Sequence, residues 1–306
     1  MKVSWQFACP ICHTPLICTS DIARCPQDGQ EYPKIEGIWR FLRPDRVTYF
    51  DRFIREYETV RQAEGRGSDN PAWYRALPFA DPADPMASMW RERARSFLCL
   101  MQQVIRPQAT VHASPLKILD LGAGNGWLSY RLAQAGHEPV AIDLTVNRFD
   151  GLGAHSHYDC AFVPVQAEFD YLPFVEEEAD VVIFNASFHY TPSYENTLRE
   201  VLRVLRPNGL VVVVDTAVYH NPESGQQMVR EREAAFQQKY GFPSNAIPSE
   251  NYLTYRRLDE LSAQTGLHWQ LYWPVPRWRW AVRRWRSRLR GRREPAQFPL
   301  IVGRRA

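Results

Sequence analysis

The sequence predicts an α/β protein: a doubly wound, mostly parallel sheet with a small cysteine-bearing unit ahead of it. Three observations point there. Lys117–Leu121 is a short apolar run that breaks into Gly122, Gly124 and Gly126, and a stretch of helical periodicity follows. Further strand-like and helix-like stretches alternate downstream, the pattern of a parallel sheet. Near the start, Cys9-Pro10-Ile11-Cys12 forms a C-x-x-C pair.

The glycine turn organises the rest. Trp127–Ala135 carries Leu128, Leu132 and Ala135 at helical spacing and stops at Gly136. A strand, a glycine turn and a helix make the opening half of a nucleotide-binding βα unit. Glycine suits the turn because a ligand lying against bare backbone leaves no room for a Cβ. The dinucleotide fingerprint G-x-G-x-x-G is not met: Trp127 stands where its third glycine belongs. No Lys-Ser/Thr pair of a phosphate loop follows either. Pro139–Asp143 reads as a second strand ending in a carboxylate, at the spacing of a ribose-binding acid. Asp180–Asn185 reads as a buried strand, Leu198–Leu205 as a helix, Arg206–Gly209 as a turn and Leu210–Asp215 as another strand.

Asp120-x-Gly122-x-Gly124-x-Gly126 resembles the first motif of class I S-adenosylmethionine-dependent methyltransferases. Glu168-Phe169-Asp170-Tyr171-Leu172-Pro173-Phe174 resembles the family's segment before the fourth strand. Arg206-Pro207-Asn208-Gly209 resembles the turn of the quinone-biosynthesis type, with Asn208 for a glycine. Asn tolerates left-handed backbone, so the turn survives the exchange. The resemblance spans about residues 116–216 and implies a seven-stranded Rossmann-like methyltransferase sheet that binds S-adenosyl-L-methionine. It implies a cofactor site of Asp120, Gly122, Ala123, Gly124, Gly126, Asp143, Leu144, Glu168, Phe169 and Asn185. Asp143 would take the ribose hydroxyls, Glu168 would face the adenine amino group and Phe169 would pack on the ring. His189 follows the central strand and is a candidate base, needed only if the acceptor keeps its proton until attack. Asp215, Tyr219 and His220 line the same side.

Residues 1–44 read as a separate unit. Cys9, Cys12, Cys25 and Asp28 are spaced as two ligand pairs, and the segment resembles the zinc ribbon of the tRNA-methyltransferase activator family. Asp28 stands where that ribbon has a cysteine; a carboxylate also ligates zinc, and Cys18 or His13 are substitutes. The alternative is a metal-free ribbon held by Trp5, Tyr32 and Trp39. Residues 45–113 read as a helical cap with helices over Val47–Glu64 and Trp90–Ile105, and Tyr57, Arg61, Trp73 and Tyr74 are candidates to line a pocket. Residues 114–306 form the large domain, with insertions at 219–256 and 274–296. The loop Asn147–Tyr158 reads as irregular: His155 and His157 could share a metal, the loop could cover the cofactor, or it could be plain loop structure. The insertion holds a helix over Glu223–Tyr240; Leu258–Thr265 is a helix, and Leu267–Trp273 and Gln297–Val302 are the last strands.

The chain has 306 residues, 45% apolar, with a net charge of +3. Nine arginines and no acid lie in Arg277–Arg293, so the remainder sums to 3 − 9 = −6. Trp278, Val282, Trp285 and Leu289 share one helical face there, the form of a basic amphipathic helix. An anionic membrane surface, an RNA and simple packing on the domain are the competing readings. No signal peptide and no apolar run of about 18 residues is found, so a cytoplasmic protein, with membrane association as an option, is expected. The expected activity is methyl transfer to a small-molecule or lipid-linked metabolite, with an RNA methyltransferase or a non-catalytic binding protein as alternatives.

Overall fold

The first strands are short: β1 (Ile17–Cys18), β2 (Ile22–Arg24), β3 (Glu31–Ile35) and β4 (Ile38–Arg40), each antiparallel to the one before. A computed structural model describes residues 5–112 and 115–305; the expected boundary at 113/114 lies outside them. Helix α1 (Pro44–Ala63) opens on a proline, whose missing N–H is an orphan at a helix start in any case. In α2 (Pro71–Ala76) the Asn70 side chain accepts from Ala72 N–H, and α3 (Ala87–Leu100) follows. The expected stop at Pro107 is not observed. A π-helical turn over Met101–Ile105 leads into α4 (Arg106–His112). Pro107 has no N–H to give and its ring crowds the preceding turn, a strain that the wider turn relieves.

The large domain alternates as expected: β5 (Lys117–Leu121), α5 (Trp127–Gln134), β6 (Glu138–Asp143), β7 (Val163–Gln166), β8 (Ala179–Asn185), α6 (Tyr194–Val204) and β9 (Leu205–Val214). Then come β10 (Val218–Tyr219), α7 (Pro222–Tyr240), β11 (Leu253–Thr254), α8 (Tyr255–Thr265), β12 (Leu267–Tyr272), α9 (Arg277–Leu289) and β13 (Leu300–Arg305). Arg206–Gly209 is not a separate turn. Leu205 pairs with Ala179 and Leu210 with Val181, so the residues between bulge within β9. The last strand starts later than expected because Gln297 exchanges backbone hydrogen bonds with Val218 instead, both at 2.9 Å. The loop after β6 holds a 3₁₀ turn, Leu152–His157, preceded by the Asn147 side chain accepting from three backbone N–H groups.

One sheet runs in the order β1-β2-β3-β4-β7-β6-β5-β8-β9-β13-β12. Strands β7 to β9 are mutually parallel, and β13 is antiparallel to both its neighbours. The chain steps from β5 to β6 and β7 on one side and to β8 and β9 on the other. That reversal opens a crevice at the carboxyl ends of β5 and β8. The sheet has eleven strands, not seven, because β4 pairs in parallel with β7 and carries β1–β3 with it. An edge strand left bare would expose unpaired N–H and C=O groups. Nor does the N-terminal segment keep its own core. Trp5, Phe7, Tyr32, Trp39 and Phe41 pack with Phe174 in one cluster with Leu119, Leu121 and Val140 of the sheet. A second cluster covers the other face, where Trp90, Phe97, Trp127 and Leu128 of α3 and α5 pack on Ile118 and Val181.

Candidate functional site

The turn after β5 is tied to the end of β6. Gly122 and Ala123 N–H both donate to Ile142 O, at 2.8 and 3.0 Å, and Gly124 N–H donates to Asp143 Oδ2 at 2.8 Å. Gly122 sits at φ +75°, and a Cβ there would lie 2.3 Å from Ser187 Cβ. Gly126, at φ +80°, starts α5.

Two hollows meet on this turn. The first encloses about 700 Å³, open mouth included, and holds Asp143, Leu144, Glu168 and Phe169 under a roof of Phe50, Phe53 and Ile247. The second, of about 400 Å³, holds Ala123, Gly124, Asn125 and Asn185, with Arg61, Arg66 and Arg93 around it. Gly122, Tyr57 and Ala186 line both, so they are the two ends of one cleft. One end is aromatic and acidic. The other is basic.

Asp143 is well tethered: Oδ1 accepts from Thr145 N–H at 2.8 Å and Thr145 Oγ1 at 2.7 Å, and burial raises its pKa. Glu168 is held by an ion pair. Arg46 Nε lies 2.8 and 3.0 Å from its two oxygens, so the first turn of α1 holds the carboxylate that would face an adenine amino group. Asp120 lies beneath the turn and lines neither hollow; it accepts from Ser129 Oγ at 2.9 Å, and burial pushes its pKa up to about 7. Asp120 and Gly126 therefore shape the turn from behind.

His189 also lines neither hollow. Burial, with the charges of Arg232 and Arg93, pushes its pKa down to about 3. It is a neutral imidazole with little pull on a proton. Of the expected pocket residues, Tyr57 and Arg61 reach the cleft, whereas Trp73 donates to Asp84 and Tyr74 to the Phe149 carbonyl. His155 Nδ1 bonds Leu152 O at 2.9 Å, and the His157 ring stacks on Tyr74 at 4.4 Å. The roof residues Phe50 and Ile247, and Arg46, were not anticipated. Nothing local in the sequence marks them as facing a cleft.

Residues 119–213 match the model of the family described as "Methyltransferase domain". The match runs from β5 to β9, and over that segment the chain is similar to a methyltransferase domain. A malonyl-[acyl-carrier protein] O-methyltransferase of Erwinia pyrifoliae is 28% identical over 145 residues, 46% of this chain and 54% of that protein. An uncharacterised methyltransferase of Schizosaccharomyces pombe is 34% identical over 99 residues, 32% of this chain and 38% of that protein. The chain thus spans about half or less of the curated relatives it matches. Among solved structures, the YcgJ protein of Bacillus subitilis is 17% identical with a TM-score of 0.48, covering 63% of this chain and 93% of that one. The fold assignment rests on the strand order, not on that likeness.

The matched domain ends at β9, and the cysteine cluster and α9 both lie outside it. The ligand atoms of Cys9, Cys12, Cys25 and Asp28 all lie within 4.8 Å of one another. Cys9 Sγ is 3.2 Å from Asp28 Oδ2, and Cys12 Sγ is 3.5 Å from Cys25 Sγ. His13 and Cys18 stay outside this group. In α9 only Trp280 is buried, against Phe298. Trp278, Trp285 and Leu289 are 66%, 61% and 67% exposed, so this face does not pack on the domain. No helix among the described residues is long and apolar enough to cross a membrane.

Proposed function

We propose that the chain catalyses S-adenosylmethionine-dependent methyl transfer to a small-molecule or lipid-linked acceptor. The observation that carries this is the polarity of the cleft across Gly122. Asp143 stands at the end suited to a nucleoside, and Arg61 and Arg66 stand at the end suited to a methionine carboxylate. The bound donor supplies a sulfonium methyl group, already a good electrophile. The protein's part is alignment and exclusion of water. Phe50, Phe53 and Ile247 close the nucleoside end, Asp143 fixes the ribose, and Asn185 and Ala186 face the reacting centre. The malonyl-carrier relatives support an acyl or carrier-linked acceptor as the class to try first. Purified protein with labelled donor should transfer methyl to a component of fractionated extract. Donor binding with no transfer to any fraction would favour the non-catalytic alternative.

Two further readings have their own observations. The cysteine cluster fits structural Zn²⁺, whose tetrahedral ligands stand roughly 3.5–3.8 Å apart. Cys9, Cys12, Cys25 and Asp28 would hold it and leave no position open for chemistry. Metal analysis should find about one zinc per chain, lost in Cys9→Ser; none in the wild type would leave a metal-free ribbon. The exposed Trp278, Trp285 and Leu289, among nine arginines, support docking of α9 on an anionic membrane surface.

A further inference from the structure

A groove of about 1370 Å³, mouth included, lies between α3 and α9 and is lined by Arg93, Arg95, Ser96, Asp215, Arg279 and Arg283 among others. Arg93 and Ala186 line both this groove and the basic end of the cleft, so the groove runs into the cleft beside the reacting centre. Its charge is lopsided: four arginines against Glu92 and Asp215. Glu92 is taken by Arg95, and Asp215 Oδ1 accepts from Ser96 Oγ at 2.6 Å.

Among the described residues, Arg93, Arg279 and Arg283 pair with no carboxylate. Arg61 and Arg66, also around the basic hollow, do: with Asp150 at 2.8 Å and Glu64 at 2.9 Å. Arg93 lies over the Trp90 ring at 5.5 Å and Arg283 over Trp280 at 4.9 Å. Stacking fixes a guanidinium plane and leaves its N–H groups free for a ligand. Arg279 and Arg283 are exposed, whereas Arg93 is half-buried; the Asp215 carboxylate offsets part of its charge without forming an ion pair with it. Ala186 and Asp215, at the ends of β8 and β9, hold φ of +55° and +53°. Backbone strain at two residues facing one groove is of the kind found at ligand sites.

We propose that this groove admits the methyl acceptor and that the acceptor is an anion, a carboxylate or a phosphate, held at the inner end by Arg93 with Arg279 and Arg283 along the way in. The assignment rests on the methyltransferase reading, and the test separates the two. Calorimetry is run in two arms: S-adenosylhomocysteine into free protein, then malonate or inorganic phosphate into the saturated protein. The wild type should bind one of the anions. Arg93→Gln should weaken that anion about tenfold or more, as loss of a charge-assisted bond does. Arg279→Gln/Arg283→Gln should weaken it several-fold and leave S-adenosylhomocysteine affinity unchanged. The malonate and phosphate arms decide between carboxylate and phosphate. Anion affinity unchanged in a folded Arg93→Gln, or no anion heat with wild type, overturns the proposal. A loss of S-adenosylhomocysteine affinity alone in Arg93→Gln also overturns it, by assigning Arg93 to the cofactor. Failure of S-adenosylhomocysteine to bind wild type sinks the methyltransferase reading instead.

Discussion

At one edge of the sheet Trp5, Phe7, Trp39 and Phe41 turn inward, each at most 6% exposed, and pack edge-on or tilted against one another and against Phe174. At the other edge α9 buries Trp280 and turns Trp278 and Trp285 outward. The two segments are alike in richness of aromatics and opposite in what they do with them. Apolar area removed from water inside the chain stabilises the fold; area left outside does nothing for stability and is available to a partner.

Substitutions at the two edges test that contrast. Trp39→Ala should cost about 3–5 kcal/mol, read from the urea midpoint of unfolding. A cost under about 1 kcal/mol would mean that the N-terminal edge is an ornament after all. Between the edges lies Asp120, buried at the centre of the sheet. Its folded pKa, about 7, is raised above the ordinary value, so the carboxyl stabilises the fold least once it must ionise. Relative to Asp120→Asn, wild type should lose stability as pH rises from about 4 to 7. The difference should be about 1 kcal/mol or more, since each pKa unit is worth about 1.4 kcal/mol. Equal stability profiles for the two proteins would contradict it. The smallest effect belongs to α9: Trp278→Ala/Trp285→Ala should change stability by less than about 0.5 kcal/mol. The same variant should lose sedimentation with anionic vesicles. If wild type ignores such vesicles at low salt, the outward face has another use.

What the sequence disclosed follows from how local each signal is. The Gly122 turn, the strands either side of it and Asp143 were legible because a few neighbouring residues determine each. The Arg46–Glu168 pair was not, since its members stand 122 residues apart and either alone reads as a surface charge. The junction of β4 with β7 escaped for the same reason, and with it the length of the sheet. Glu168 lines the hollow, but its partner Arg46 was invisible in the sequence. His189 is similar, since its place after β8 was evident but its burial and the nearby arginines were not.

The cleft across Gly122 is proposed to hold a nucleoside-bearing methyl donor. Calorimetric titration with S-adenosylhomocysteine should give one equivalent bound to wild type. Asp143→Ala should bind it roughly a hundredfold more weakly, the scale for losing charge-assisted hydrogen bonds. Absence of binding to wild type, or equal affinity in a folded Asp143→Ala, would contradict the account.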